Sequence, residues 1–86
     1  MTNQATILVI DDEVRSQESI RRTLDEEFRV LTVSSAVEGR AVMERERVQV
    51  VLCDHRMPGV TGIDFLKEVR EHWPDVVRMI ISGYTD

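Results

Sequence analysis

The sequence predicts an α/β fold, a doubly wound parallel sheet, and three observations predict it. Four short runs are apolar, β-branched and nearly continuous in hydrophobicity: "TILVI" (6–10), "VLTV" (30–33), "VQVVLC" (48–53) and "VVRMII" (76–81). Such runs suit strands covered on both faces, where neither side alternates with solvent. Between them lie segments whose apolar residues fall three or four apart, the spacing of an amphipathic surface helix. Strand centres recur roughly every 20 to 28 residues, too far apart for hairpins and right for crossovers, which are right-handed in about 98% of cases. The order is therefore β-α-β-α-β-α-β.

Each element has its own signal. The first strand runs straight into Asp11, Asp12 and Glu13, and the first helix carries Ile20, Leu24 and Phe28 at i, i+4 and i+8. The second run is the shortest and contains Thr32, as an edge strand would, which gives weak support to a spatial order 2-1-3-4. Ser35 with Glu38 three residues later is a capping-box signature for a middle helix reaching to about Glu46. The third run ends at Asp54 and enters "HRMPGVTG"; Ile63, Leu66, Val69 and Trp73 then mark a third helix, which Pro74 stops. The fourth run ends in "SGYTD". No internal repeat, linker or low-complexity tract is visible, so residues 1–86 read as one domain.

Composition narrows the function. Eighty-six residues sit near the lower end of what buries a self-sufficient core, since a chain of this size removes only about 60 to 65% of its unfolded surface from water. The chain is 42% hydrophobic and 31% charged, an ordinary globular balance. A net charge of −5 argues against a surface built to hold nucleic acid or an anionic membrane and points to small cations as guests. One cysteine excludes an intramolecular disulfide framework, and "MTNQATILVI" has neither a basic leader nor a long apolar stretch, which reads as cytoplasmic.

The functional signal is where the strands end. In a doubly wound sheet all parallel strands finish on one edge, and ligands bind there where the strand order reverses. If the first and third strands are neighbours, Asp11, Asp12 and Asp54 converge on one pocket. Packed carboxylates repel, and one takes up a proton unless a cation neutralises the group. Oxygen-only ligands, few and shared with waters, favour Mg²⁺. A carboxylate beside such an ion can also act as nucleophile toward a phosphoryl group, a reaction that asks the protein chiefly for positioning and charge neutralisation.

At this point the residues resemble a known family. "VIDDE" after the first strand, "LCDHRMPGVTG" after the third and "IISGYTD" after the fourth are similar to the receiver domain of bacterial two-component response regulators, CheY-like, over essentially the whole chain. The resemblance implies a flavodoxin-like sheet, order 2-1-3-4, lacking the family's final strand and helices. It implies Asp54 as phosphoacceptor, Asp12 as a direct Mg²⁺ ligand, Asp11 as a ligand largely through water, and the backbone carbonyl of Arg56 as the remaining protein contact. Ser82 takes the position of the hydroxyl that closes on the phosphoryl group. Pro58, Gly59 and Gly62 would shape the loop into the third helix, glycine allowing backbone angles barred to other residues. The resemblance implies as partners a histidine kinase or phosphotransfer protein and an output domain, with transcriptional regulation among its roles, and a domain that is not itself an enzyme. "DHRMPGVTG" and "SGYTD" are similar to receivers of enhancer-dependent transcription activators or of cyclic-dinucleotide phosphodiesterases.

Blander readings stand beside these. Asp11 or Asp12 alone serves equally as a cap of the first helix, and Asp54 as a turn residue before "MPG". Cys53 precedes Asp54 but faces the other side of the strand, as a buried structural thiol. His55 and His72 read as solvated, Trp73 as cover at the helix stop, and Ser82 as a surface hydroxyl. The family also carries an essential lysine on a fifth strand, whereas the sole lysine here is Lys67, carried roughly 7 Å from the strand ends along the third helix. Two other functions therefore stay open: a receiver-like interaction domain that is not phosphorylated, and a haloacid-dehalogenase-like phosphatase with Asp11 as nucleophile. The latter usually shows D-x-D where this chain has "DDEV". Without a fifth strand "VVRMII" would be an apolar edge that invites a second copy, a homo-oligomer, and suggests a piece of a longer protein.

Overall fold

The computed structural model describes residues 4–55 and 61–81. Strands β1 (Thr6–Ile10), β2 (Arg29–Val33), β3 (Val50–Asp54) and β4 (Val77–Ile81) alternate with helices α1 (Val14–Leu24), α2 (Ala36–Arg45) and α3 (Gly62–His72). All strand pairs are parallel and the order across the sheet is β2-β1-β3-β4. β2 is an edge strand, as its short run and Thr32 predict. β1 and β3 are neighbours, which brings the two acidic strand ends together.

The unbroken hydrophobicity of β1 has a direct cause, because alternate residues enter different cores. Leu8 and Ile10 pack with Val51, Cys53, Phe65 and Val69 beneath α2 and α3, while Ile7 and Val9 join Val30 beneath Ile20 and Leu24 of α1. All five residues of β1 are buried. Helix α2 is capped as its sequence predicts: Ser35 Oγ accepts from the Glu38 N–H at 3.2 Å. The Glu38 carboxylate returns to the Ser34 N–H at 2.8 Å, one residue earlier than the usual reciprocal bond.

Two apolar positions differ from the periodic reading. Phe28 lies beyond α1, which closes at Leu24; the acidic run Asp25, Glu26 and Glu27 is unfavourable at the negative end of a helix, and Phe28 packs instead from the turn into β2. Ile63 is 48% exposed, and Phe65, 1% exposed, takes the inward place. Gly62 fixes that rotation by lying directly against the end of β3, so its successor points roughly 100° away around the helix. Trp73 is half-buried against the core below the Pro74 stop.

Helices α2 and α3 are joined at their surfaces by an ion pair from Arg40 to Glu68, and Gly39 gives the close contact beneath it. A Cβ there would lie 2.8 Å from Ile10 Cδ1 and 3.3 Å from Phe65 Cζ. On β4, Val77 and Met79 are 54% and 52% exposed on the α1 side of the sheet, so apolar surface of the kind anticipated for this strand is present among the described residues. No helix among those residues is long and apolar enough to cross a membrane.

Candidate functional site

The carboxyl ends of β1 and β3 carry the site. Asp11 follows β1, and its N–H donates to the Val33 carbonyl at 3.1 Å, extending the pairing with β2 by one residue. The chain then turns sharply: Asp11 Oδ1 accepts the Glu13 N–H at 2.9 Å. Glu13 is the N-cap of α1 and makes no side-chain cap bond, so neither Asp11 nor Asp12 caps that helix. The turn holds Asp11 buried and Asp12 exposed beside it.

Asp54 closes β3, half-buried, and the backbone of the next residue, His55, is clamped from two directions. On the β4 side the His55 N–H donates to the Ile81 carbonyl at 3.2 Å, and from above the Gly62 N–H donates to the His55 carbonyl at 3.3 Å. A Cβ on Gly62 would lie 2.4 Å from the Asp54 carbonyl oxygen and 3.2 Å from His55 Cα. Glycine is required here by that close approach. The expectation that it supplies unusual backbone angles is replaced by a steric reason.

These elements bring carboxylate oxygens of Asp11, Asp12 and Asp54 all within 4.8 Å of one another. Burial pushes the Asp11 carboxyl above the ordinary aspartate range, the bond from Glu13 N–H opposes that, and the negative charges of Asp54, Asp12 and Glu13 add to the rise. Cys53 points into the core, and burial, then Asp54 and Asp11, push its thiol up to about 12. It is a structural thiol with no nucleophilic form near neutral pH. His55, His72 and Lys67 are exposed. Arg56 with its carbonyl, Pro58, Gly59 and Ser82 lie outside the described residues.

The oxygen-only donor set fits a hard divalent ion. Opposite ligands of an octahedral Mg²⁺ stand about 4 Å apart at 2.0–2.1 Å each, close to the spread of these three carboxylates. Sequence reasoning missed Gln17. This buried amide on α1 donates to the Asp11 carbonyl at 2.7 Å, the Val33 carbonyl at 3.0 Å and Ser34 Oγ at 3.1 Å. Its signal was available: an uncharged polar residue one turn after Glu13, on the side of α1 that also carries Ile20 and Leu24.

A parallel sheet of order 2-1-3-4 with three acids gathered at the ends of its two central strands defines a protein of the flavodoxin-like, CheY-like class. The chain belongs to the response regulator receiver domain family, whose pattern matches residues 7–86. It is 71% identical over 83 residues to the hydrogenase transcriptional regulatory protein HoxA of Cupriavidus necator, covering 96% of this chain and 17% of that protein. It is 58% identical over 86 residues to the protein of the same name from Bradyrhizobium diazoefficiens, covering 100% and 18%. The chemotaxis response regulator CheY4 of Vibrio cholerae superposes with a TM-score of 0.89 at 26% identity, over 98% of this chain and 72% of that one. The chain thus spans less than a fifth of the length of the two regulators.

Proposed function

We propose that this receiver domain takes a phosphoryl group onto Asp54 from a histidine kinase or phosphotransfer protein, with Mg²⁺ held by Asp11, Asp12 and Asp54. The observation that carries the proposal is the gathering of those three carboxylates within 4.8 Å at the ends of adjacent strands. An Asp54 carboxylate oxygen forms the new bond to phosphorus, the bond from phosphorus to the donor's histidine nitrogen breaks, and an acyl phosphate results. The ion would offset the charge crowded on the phosphoryl oxygens. Asp11 is the less accessible nucleophile, being buried where Asp54 is half-buried. That disfavours the phosphatase reading and supports a domain that is modified rather than one that turns over substrate.

The backbone carbonyl of Arg56 would complete the metal's protein contacts and Ser82 would report the phosphoryl group. The output is a domain elsewhere in a longer cytoplasmic regulator, and the names of the two HoxA relatives favour transcriptional control. Neither nucleic acid nor membrane is expected to bind this acidic segment directly, and the exposed Val77 and Met79 suit a second copy or another segment of protein.

Asp12→Asn tests the metal site. Removing one of the clustered charges relieves repulsion of about 1 kcal/mol for unit charges near 4 Å in water, or roughly 4–8 °C in a domain this small. The variant is expected to melt a few degrees higher than the parent in EDTA and to lose the rise in Tm on adding Mg²⁺. An unchanged Mg²⁺ response would remove Asp12 from the site.

A further inference from the structure

The structure assigns Gln17 as the positioning residue of the acidic turn: its amide ties the ends of β1 and β2 together and thereby sets where Asp11 and Asp12 stand. Its surroundings fix which way the amide faces. The Asp11 and Val33 carbonyls can only accept, so Nε2 must be the atom turned toward them, with Ser34 Oγ as third acceptor. Two amide hydrogens serve three acceptors, so one bond is shared. Glutamate at this place would set a carboxylate against two carbonyl oxygens, which makes the amide the required chemistry among the residues of this size.

The bonds close a ring. Gln17 N–H donates to the Glu13 carbonyl at 3.1 Å, Glu13 N–H returns to Asp11 Oδ1 at 2.9 Å, and the Gln17 side chain reaches back to the Asp11 carbonyl at 2.7 Å. Every residue from Asp11 to Gln17 is held between those links, Asp12 among them. The Val33 carbonyl accepts from both Gln17 Nε2 and the Asp11 N–H, so the same side chain controls how firmly Asp11 stays paired to β2. Loss of the amide frees the acidic turn at its base while leaving the carboxylates themselves unchanged.

The consequence for metal binding rests on the proposed Mg²⁺ site, and a second, metal-free readout separates the two. Gln17→Met keeps the stem and most of the packing but removes both donors. In Mg²⁺ titrations of the intact chain it is expected to raise Kd about tenfold. In EDTA the Asp11 amide proton is expected to exchange about tenfold faster relative to that of Leu8 within β1. Val69→Ala, a core truncation remote from the turn, is the structural control and should lower Tm while leaving both quantities within twofold of the parent. Should Gln17→Met fail to fold, Gln17→Asn, one methylene shorter, keeps an amide but cannot span the 2.7 Å bond, and should shift both readouts the same way. If neither Kd nor the exchange ratio moves more than twofold, or Val69→Ala moves them equally, Gln17 is only a packing residue. If the parent itself binds no Mg²⁺, the metal reading fails, and the exchange ratio alone upholds or overturns the clamp.

Discussion

Gly62→Ala is expected to slow phosphorylation of Asp54 by about 100-fold, a large effect for one methyl group. The added Cβ would arrive 2.4 Å from the Asp54 carbonyl oxygen and 3.1 Å from its carbonyl carbon, both backbone atoms that no rotamer change can move aside. Alanine in a helix ordinarily stabilises by about 0.5–1 kcal/mol over glycine, but overpacking against fixed atoms costs about 1–3 kcal/mol, so the steric term wins. Relief requires α3 to lift from the end of β3, or Asp54 to shift by a sizeable part of an ångström. Misplacing a reacting group by 1 Å can cost about 10²-fold in rate. The measurement is the rate of acetyl phosphate labelling for variant and parent under the same conditions, with circular dichroism to confirm the fold. A Gly62→Ala rate within threefold of the parent would show that the contact does not hold Asp54 in place.

Asp11→Asn is expected to stabilise the metal-free chain and to weaken it when Mg²⁺ is present. The Asp11 carboxyl is raised above its ordinary range by burial first, then by Asp54, Asp12 and Glu13. A raised acid inverts the usual behaviour of carboxylates. Between its unfolded and folded pKa values the native state holds a proton that the unfolded state has released, so stability falls as pH rises through that window and stays reduced above it. In EDTA the variant should therefore exceed the parent in Tm at neutral pH, and the gap should close as pH falls toward the ordinary aspartate value. Saturating Mg²⁺ reverses the comparison. An ion at 100 times its Kd adds about 2.7 kcal/mol to the fold that binds it, roughly 10–20 °C here, and asparagine forfeits a large part of that. Parallel melting curves for both proteins from acid to neutral pH, with and without Mg²⁺, give the test; a gap in EDTA that widens on acidification would contradict the sign.

Much of the fold is legible in the sequence because period and composition carry it. The all-buried β1, the Ser35 cap and the Pro74 stop follow from local rules. The strand order was readable only weakly, through Thr32, yet the whole site depends on it, since β1 and β3 must be adjacent for Asp54 to meet Asp11 and Asp12. What escaped the sequence is what depends on distances between elements. Ile63 and Phe65 are both apolar within one turn, and only the contact of Gly62 with the Asp54 carbonyl decides which faces inward. Phe28 keeps helical spacing although the helix has ended. Gln17 shares a helix side with Ile20 and Leu24, which marks it as inward, but the partners it meets are set by the ends of β1 and β2, which place two carbonyls in its reach.

Phosphoryl labelling tests the assignment of Asp54 most directly. The chain and its Asp54→Asn variant are treated with acetyl phosphate, in Mg²⁺ and in EDTA, and followed by intact mass with peptide mapping of the modified residue. The chain is expected to gain one hydroxylamine-labile phosphoryl group on Asp54 in Mg²⁺ and none in EDTA or after Asp54→Asn. Labelling that persists in EDTA, survives Asp54→Asn or never reaches Asp54 would contradict the assignment of Asp54 as the metal-assisted phosphoacceptor.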